Sequence, residues 1–141
     1  MPKMIFVNLA VADVAAATAF YTALGFDKDE TFSNERASAM NWSDTIHVML
    51  LHRDFYATFT PKRIIDAKTE SGVLLALSFD DRAGVDAITQ AALQAGGREL
   101  HDPEDEGHMY SRAFEDLDGH GWGPFTMDMA AMQAAQQEEP A

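Results

Sequence analysis

The residues of this 141-residue chain best suited to chemistry are five histidines, a strand asparagine and a strand arginine. Histidine titrates near neutrality, so His47, His52 or His120 could move a proton or hold a metal ion. His47 and His52 lie five positions apart in "TIHVMLLH", which sets them on opposite faces of one strand. His101 and His108 flank the acidic stretch "DPEDEG" and read as solvated. Asn8 is an amide among apolar neighbours and needs partners, either a ligand or a neighbouring strand's side chain. Arg112 suits a carboxylate or phosphate held by two parallel hydrogen bonds, but in so acidic a chain an ion pair is the better reading. Carboxylate pairs such as Glu104 and Asp105 sit in an open loop and are not read as a glycosidase pair. No glycine-rich phosphate loop, G-x-S-x-G elbow or H-E-x-x-H helix occurs.

Composition narrows the classes further. A net charge of −13 argues against nucleic acid and against an anionic membrane as partner. Without cysteine there are no disulfides and no thiolate metal sites. No stretch approaches the roughly 20 apolar residues of a membrane span. The start, "MPKMIFVNLAVADV", lacks a signal peptide's apolar core, so a cytoplasmic protein is expected.

The elements that must position these residues come in two similar runs. "KMIFVNLAV" is a strand with Ile5, Val7 and Leu9 on one face and Met4, Phe6 and Asn8 on the other. Asp13 suits a helix N-cap, "VAAATAFYTALG" the helix, and Gly25 its stop. Strands follow at "FDKDETF", "RASAMNW" and "TIHVMLLH". The second half repeats the order: strand "GVLLALSF", a cap at Asp80 or Asp81, helix "RAGVDAITQAALQAGG", then "GRELHD", "HMYSRAFED" and "HGWGPFTM". The expectation is one α+β domain over residues 1–141. Two β-α-β-β-β modules, about 4–52 and about 71–127, form a concave mixed sheet with helices on the outer face. Residues 53–70 form a linker read as a lid, an arm, a subunit contact or solvated chain. The tail, 128–141, reads as one weak helix. Gly121 and Gly123 leave room on the concave side of the last strand, with Trp122 and Pro124 facing the core and Pro124 making that strand irregular.

"VADVAAATAFYTALGF" resembles the first strand-helix unit of the vicinal oxygen chelate superfamily, which includes glyoxalase I, bleomycin-resistance proteins, fosfomycin-resistance enzymes and extradiol dioxygenases. The likeness lies in Asp13, the Phe20-Tyr21 pair and the Leu24-Gly25-Phe26 ending. "FEDLDGHGWG" resembles the family's closing Phe-x-Asp-Pro-Asp-Gly turn, with Leu117 in place of proline. In metal-dependent members four His, Gln or Glu ligands project into the concave face. The resemblance puts those positions at Phe6, Leu50, Leu74 and Gly123, none of which can donate a lone pair to a cation. The same register turns Val48, Leu50 and His52 into the concavity and His47 to the helix side. Slips of two residues would offer Asn8 and His52, with His120, as a displaced metal site.

The resemblance therefore implies a metal-free protein without cofactor. It would bind an apolar or aromatic small molecule in the cleft through Phe6, Asn8, Trp42, Leu50, His52, Leu74 and Phe125. His52 is the best single candidate for acid–base work or ligand contact. The resemblance also implies a homodimer, and the acidic surface favours a cationic or neutral ligand. The alternatives are a metal-dependent lyase of the glyoxalase kind or an extradiol dioxygenase with displaced ligands, and a non-catalytic interaction domain.

Overall fold

A computed structural model describes residues 2–138; Met1 and the last three residues of the tail lie outside the described residues. The first module runs β1 (Ile5–Val11), α1 (Val14–Ala23), β2 (Asp27–Asn34), β3 (Ala37–Asn41) and β4 (Ile46–His52). Asp13 caps α1, its carboxylate accepting from the Ala16 N–H at 3.0 Å, which satisfies one of the helix's orphan donors. The strands pair in the order β1-β4-β3-β2, with β1 parallel to β4 and the rest antiparallel.

The linker is partly helical, with α2 (Arg53–Tyr56) followed by a 3-10 turn at Ala57–Phe59. The second module then runs β5 (Leu74–Ser78), α3 (Arg82–Gln94), β6 (Arg98–Glu99), β7 (Glu104–Asp105), β8 (Met109–Ser111), β9 (Phe114–Glu115) and β10 (Gly121–Met127). Asp81, not Asp80, caps α3 by accepting from Gly84 N–H at 2.9 Å. Both helices stop at a left-handed glycine, Gly25 (φ 107°) and Gly96 (φ 104°). β10 is the hub of the second sheet, parallel to β5 on one side and antiparallel to β8 and β9 on the other.

Two details differ from the sequence reading. "HMYSRAFED" is two strands, β8 and β9, because the ladder breaks where Arg112 and Ala113 face Pro124. Arg112 N–H still donates to Pro124 O at 3.0 Å, but Pro124 has no N–H to return the bond. The acidic stretch also contributes a strand, β7, paired with β8. Arg82 holds it there through a two-pronged bond to Asp105 at 2.6 and 2.7 Å.

One apolar core joins the modules, drawing Leu9, Val11, Phe20, Tyr21, Phe26, Val48 and Leu50 from the first and Leu77, Ile88, Phe114 and Trp122 from the second. The tail helix, α4 (Met129–Glu138), follows β10. Among the described residues no helix is long and apolar enough to cross a membrane.

Candidate functional site

In β1, Val7, Leu9 and Val11 pack into the core, so Phe6, Asn8 and Ala10 face the other way. Directly paired residues on neighbouring strands share a face, and β4 pairs Val7 with Val48, Asn8 with Met49, Leu9 with Leu50 and Ala10 with Leu51. Met49 and Leu51 therefore turn to the concave side, while Val48 and Leu50 lie in the core with 1% and 0% exposure. This corrects the expected facing of Val48, Leu50, His52 and His47 by one residue. The segment "HVMLL" is apolar on both faces, so it carries no alternation from which the facing could be read.

Between this face and the linker lies a cavity of about 1120 Å³. Asn8, Ala10, Met49 and Leu51 supply its floor, Phe55, Tyr56, Phe59, Ile64 and Ile65 its roof, and Leu74, Leu100, His120 and Gly121 the side contributed by the second module. The roof is pinned by Arg53, whose guanidinium donates to the carbonyls of Ile65 and Ile64 at 3.2 and 3.4 Å. Arg36 lies 4.5 Å from the Phe55 ring centroid, a cation-π contact that ties α2 to the β2-β3 hairpin. Most of the lining is hydrocarbon, which suits an apolar guest.

Of the residues expected to bind ligand, Asn8 and Leu74 line this cavity; Phe6, Trp42, Leu50, His52 and Phe125 do not. Phe6 stacks on His47 with centroids 4.5 Å apart. His47 is a structural histidine, its Nδ1 2.6 Å from Asn41 Oδ1. Trp42 packs between Phe26 and Phe79 at 5.0 and 5.8 Å. His52 caps α2 by accepting from Asp54 N–H at 3.2 Å. Phe125 is half-buried on β10 opposite Ser78. Arg112 is a buried ion-pair partner, donating to Glu99 at 2.8 and 3.0 Å and to Asp86 at 3.1 Å.

Sequence reading offered the linker as one possible lid without naming its residues, and offered His120 only as a proton carrier or member of a displaced metal site. The signal for the roof was present: five large apolar residues in eighteen is more than a solvated linker needs. The signal for His120 was its place beside the closing turn, which the fold brings against β1.

That turn carries the polar joint between modules. Tyr21 O–H donates to Asp116 Oδ2 at 2.5 Å, and Trp122 Nε1–H donates to the same phenol oxygen, Tyr21 Oη, at 2.9 Å. Asp116 Oδ1 accepts from the N–H groups of Asp118 and His120, both at 2.9 Å. Ala12 N–H donates to Asp118 Oδ1 at 2.9 Å. Burial pushes the Asp116 carboxyl above its ordinary range, while the adjacent His120, the Tyr21 bond and the two N–H donors pull it down. Burial first, then the Asp116 charge, holds the Tyr21 phenol well above its usual value.

The metal positions implied by the resemblance can now be placed. Gly123 pairs with Ala76, two residues beyond Leu74. In the first module Leu50 lies in the core, and it is Met49, paired with Asn8, that turns to the concave side. Phe6, Met49, Leu50, Leu74 and Gly123 offer no nitrogen or oxygen side-chain donor, and a divalent cation does not fit them. Of the displaced trio, Asn8 and His120 line the cavity, while His52 does not and instead caps α2.

Comparison with known proteins agrees with this architecture. The family model for the Glyoxalase/Bleomycin resistance protein/Dioxygenase superfamily matches residues 3–123. No curated protein matches the sequence significantly. Among solved structures, hypothetical protein SA1046 from S. aureus is similar, with TM-score 0.76 and 22% identity over 89% of this chain and 95% of that one. A glyoxalase/bleomycin resistance protein/dioxygenase family enzyme from Burkholderia phytofirmans superposes with TM-score 0.73 and 18% identity over 89% and 99% of the two chains. Fosfomycin resistance protein FosX from Mesorhizobium loti does so with TM-score 0.67 and 16% identity over 94% and 98%. With its paired β-α-β-β-β modules and a family match across most of its length, the chain belongs to the glyoxalase/bleomycin resistance protein/dioxygenase superfamily.

Proposed function

We propose that this protein is a metal-free binder of a small apolar or aromatic molecule, held between the concave face of the first module and the linker. The observation that carries the reading is the large, mostly hydrocarbon-lined cavity. It is supported by the positions that the resemblance implies for metal ligands, Phe6, Leu50, Leu74 and Gly123, none of which carries a nitrogen or oxygen side-chain donor. Binding of this kind needs a shaped apolar enclosure and a few polar contacts, with no activated water or Lewis acid. Asn8 and Leu74 remain in the proposed binding set, joined by Met49, Leu51 and the roof residues.

Metal content and thermal shift test the reading together. Protein purified without chelator is expected to carry no stoichiometric metal and to shift its melting temperature by less than about 1 °C with manganese, nickel, zinc, iron or magnesium. A stoichiometric ion with a shift of several degrees would overturn it in favour of a lyase or dioxygenase. An interaction domain without ligand is the outcome if no compound in an aromatic panel binds.

We propose in addition that the protein works as a homodimer. Leu74 is 76% and Phe32 71% exposed at the rim of the cavity, and a second subunit would take both out of water. Sedimentation of a monomer at tens of micromolar would remove this part.

A further inference from the structure

We infer that His120 is the polar anchor of the cavity and that its ligand carries a hydrogen-bond donor, such as a phenolic or enolic O–H or a ring N–H, on an apolar body. The inference rests on the binding reading above and specifies the chemistry of that same site. His120 Nε2 lies 2.8 Å from the carbonyl oxygen of Ala10. A carbonyl only accepts, so Nε2 must bear the hydrogen, and in the neutral imidazole Nδ1 is then left as an acceptor. Among the described residues no protein group bonds Nδ1, yet no sealed side-chain nitrogen or oxygen lacks a partner. Nδ1 is therefore an open acceptor on a residue that lines the cavity.

The ring is also held in place. His120 N–H donates to Asp116 Oδ1 at 2.9 Å and His120 O accepts from Asp116 N–H at 3.0 Å. With both backbone groups and Nε2 engaged, the acceptor is oriented before any ligand arrives, which lowers the cost of binding.

The surroundings select the rest of the ligand. Asn8 stands on the same face of β1 as Ala10, two residues or roughly 7 Å away. Its amide has no partner among the described residues and adds an NH2 group with two donors and a carbonyl acceptor. Both carboxylates of the lining are paired, Glu70 with Arg63 at 3.4 Å and Glu115 with Arg98, outside the lining, at 3.1 Å, while Lys62 adds a positive charge. A fixed positive charge on the ligand thus finds no unpaired carboxylate among these, despite the chain's net charge of −13. The class that fits is a neutral, donor-bearing aromatic, and this displaces the cationic preference drawn from net charge alone.

Matched pairs test this: phenol with anisole, 2-naphthol with 2-methoxynaphthalene, and 4-phenylphenol with 4-methoxybiphenyl, titrated against the full chain by calorimetry. The hydroxyl member of each binding pair is expected to bind about three- to tenfold more tightly than its ether. In His120→Ala that ratio falls to about one, while His101→Ala, an exposed histidine outside the lining, retains it. The ratio is internal to each variant, so a general loss of affinity does not imitate the result. If His120→Ala does not fold, nitrogen NMR of the wild-type histidines decides: the His120 Nδ1 signal moves with 2-naphthol and stays with the ether. Equal affinity of alcohol and ether, or a preference that survives His120→Ala, would overturn the anchor and leave the binding reading standing. Failure of every pair to bind would remove both.

Discussion

Met49 and Leu50 are sequence neighbours with opposite fates under the same substitution. Leu50 has no exposed surface and packs beneath α1 beside Leu9 and Val48. A carboxylate there would be buried without a partner, and Leu50→Glu is expected to cost more than about 4 kcal/mol. Met49 faces the cavity and keeps some exposure, so Met49→Glu should stay within about 1 kcal/mol of wild type. Urea denaturation of the two variants checks the strand's facing directly. Equal losses would mean that the pairing of β4 with β1 is out by a residue. At this scale the alternation of β1 was legible in the sequence, since Ile5, Val7 and Leu9 share one face and Phe6 and Asn8 the other, as the pairing with β4 has them. The facing of Met49 and Leu50 on β4 was not, because a strand apolar on both faces carries no alternation.

At the scale of elements, the closing turn works as a fastener. It binds Ala12 and Tyr21 of the first module and presses on the linker from the second. Gly119 has φ 96°, and a Cβ there would meet Ala67 C and Lys68 N, both at 2.6 Å. Gly119→Ala combines a disfavoured backbone conformation with a clash against rigid backbone, so a loss of about 1–3 kcal/mol is expected. The linker should also lift from the turn. Thermal melting reads the first effect, and faster proteolytic cleavage between residues 53 and 73 reads the second. A variant that melts and cleaves like wild type would show that linker and turn are not in contact. The turn itself was readable from "DLDGHG"; its contact with the linker was not, because residues 67 and 119 meet only through the packing of the two modules.

Across the whole molecule, pH should act from both ends. The Arg82 hydrogen bonds, helped by Gly107 N–H, lower the Asp105 carboxyl to about 2. A depressed carboxylate contributes stability above its unfolded value of about 3.9 and loses it as pH falls toward the folded one. Asp105→Asn should therefore flatten the decline between about pH 4 and 2. Tyr21 has the opposite sign. Its phenol is raised by burial and by Asp116, so the unfolded tyrosine ionises first and stability falls as pH rises above about 10. Tyr21→Phe, which leaves Asp116 and Trp122 each short of a partner, is expected to be about 1–3 kcal/mol less stable at neutral pH. That gap should narrow above pH 10, because the variant has no phenol to ionise there. Melting curves from pH 2 to 11 test both limbs, and a constant gap at high pH would mean that Tyr21 ionises equally well folded and unfolded.

The sequence by itself determined the architecture of this protein: two runs of strand, helix and strands, capped by Asp13 and by Asp80 or Asp81 and stopped at Gly25 and at Gly96-Gly97. Those features depend on local chemistry, namely capping, backbone freedom and residue periodicity, which act over a few neighbouring positions. Which residues share the cavity was decided by tertiary structure alone. His120 meets Ala10 across a separation of more than one hundred residues, Phe55 and Ile65 become a roof only where the linker folds back, Leu50 vanishes into the core and Trp42 packs against it. Such proximity follows from strand register and module packing, and each of those is settled by the summed burial of many side chains, not by any stretch that can be read on its own.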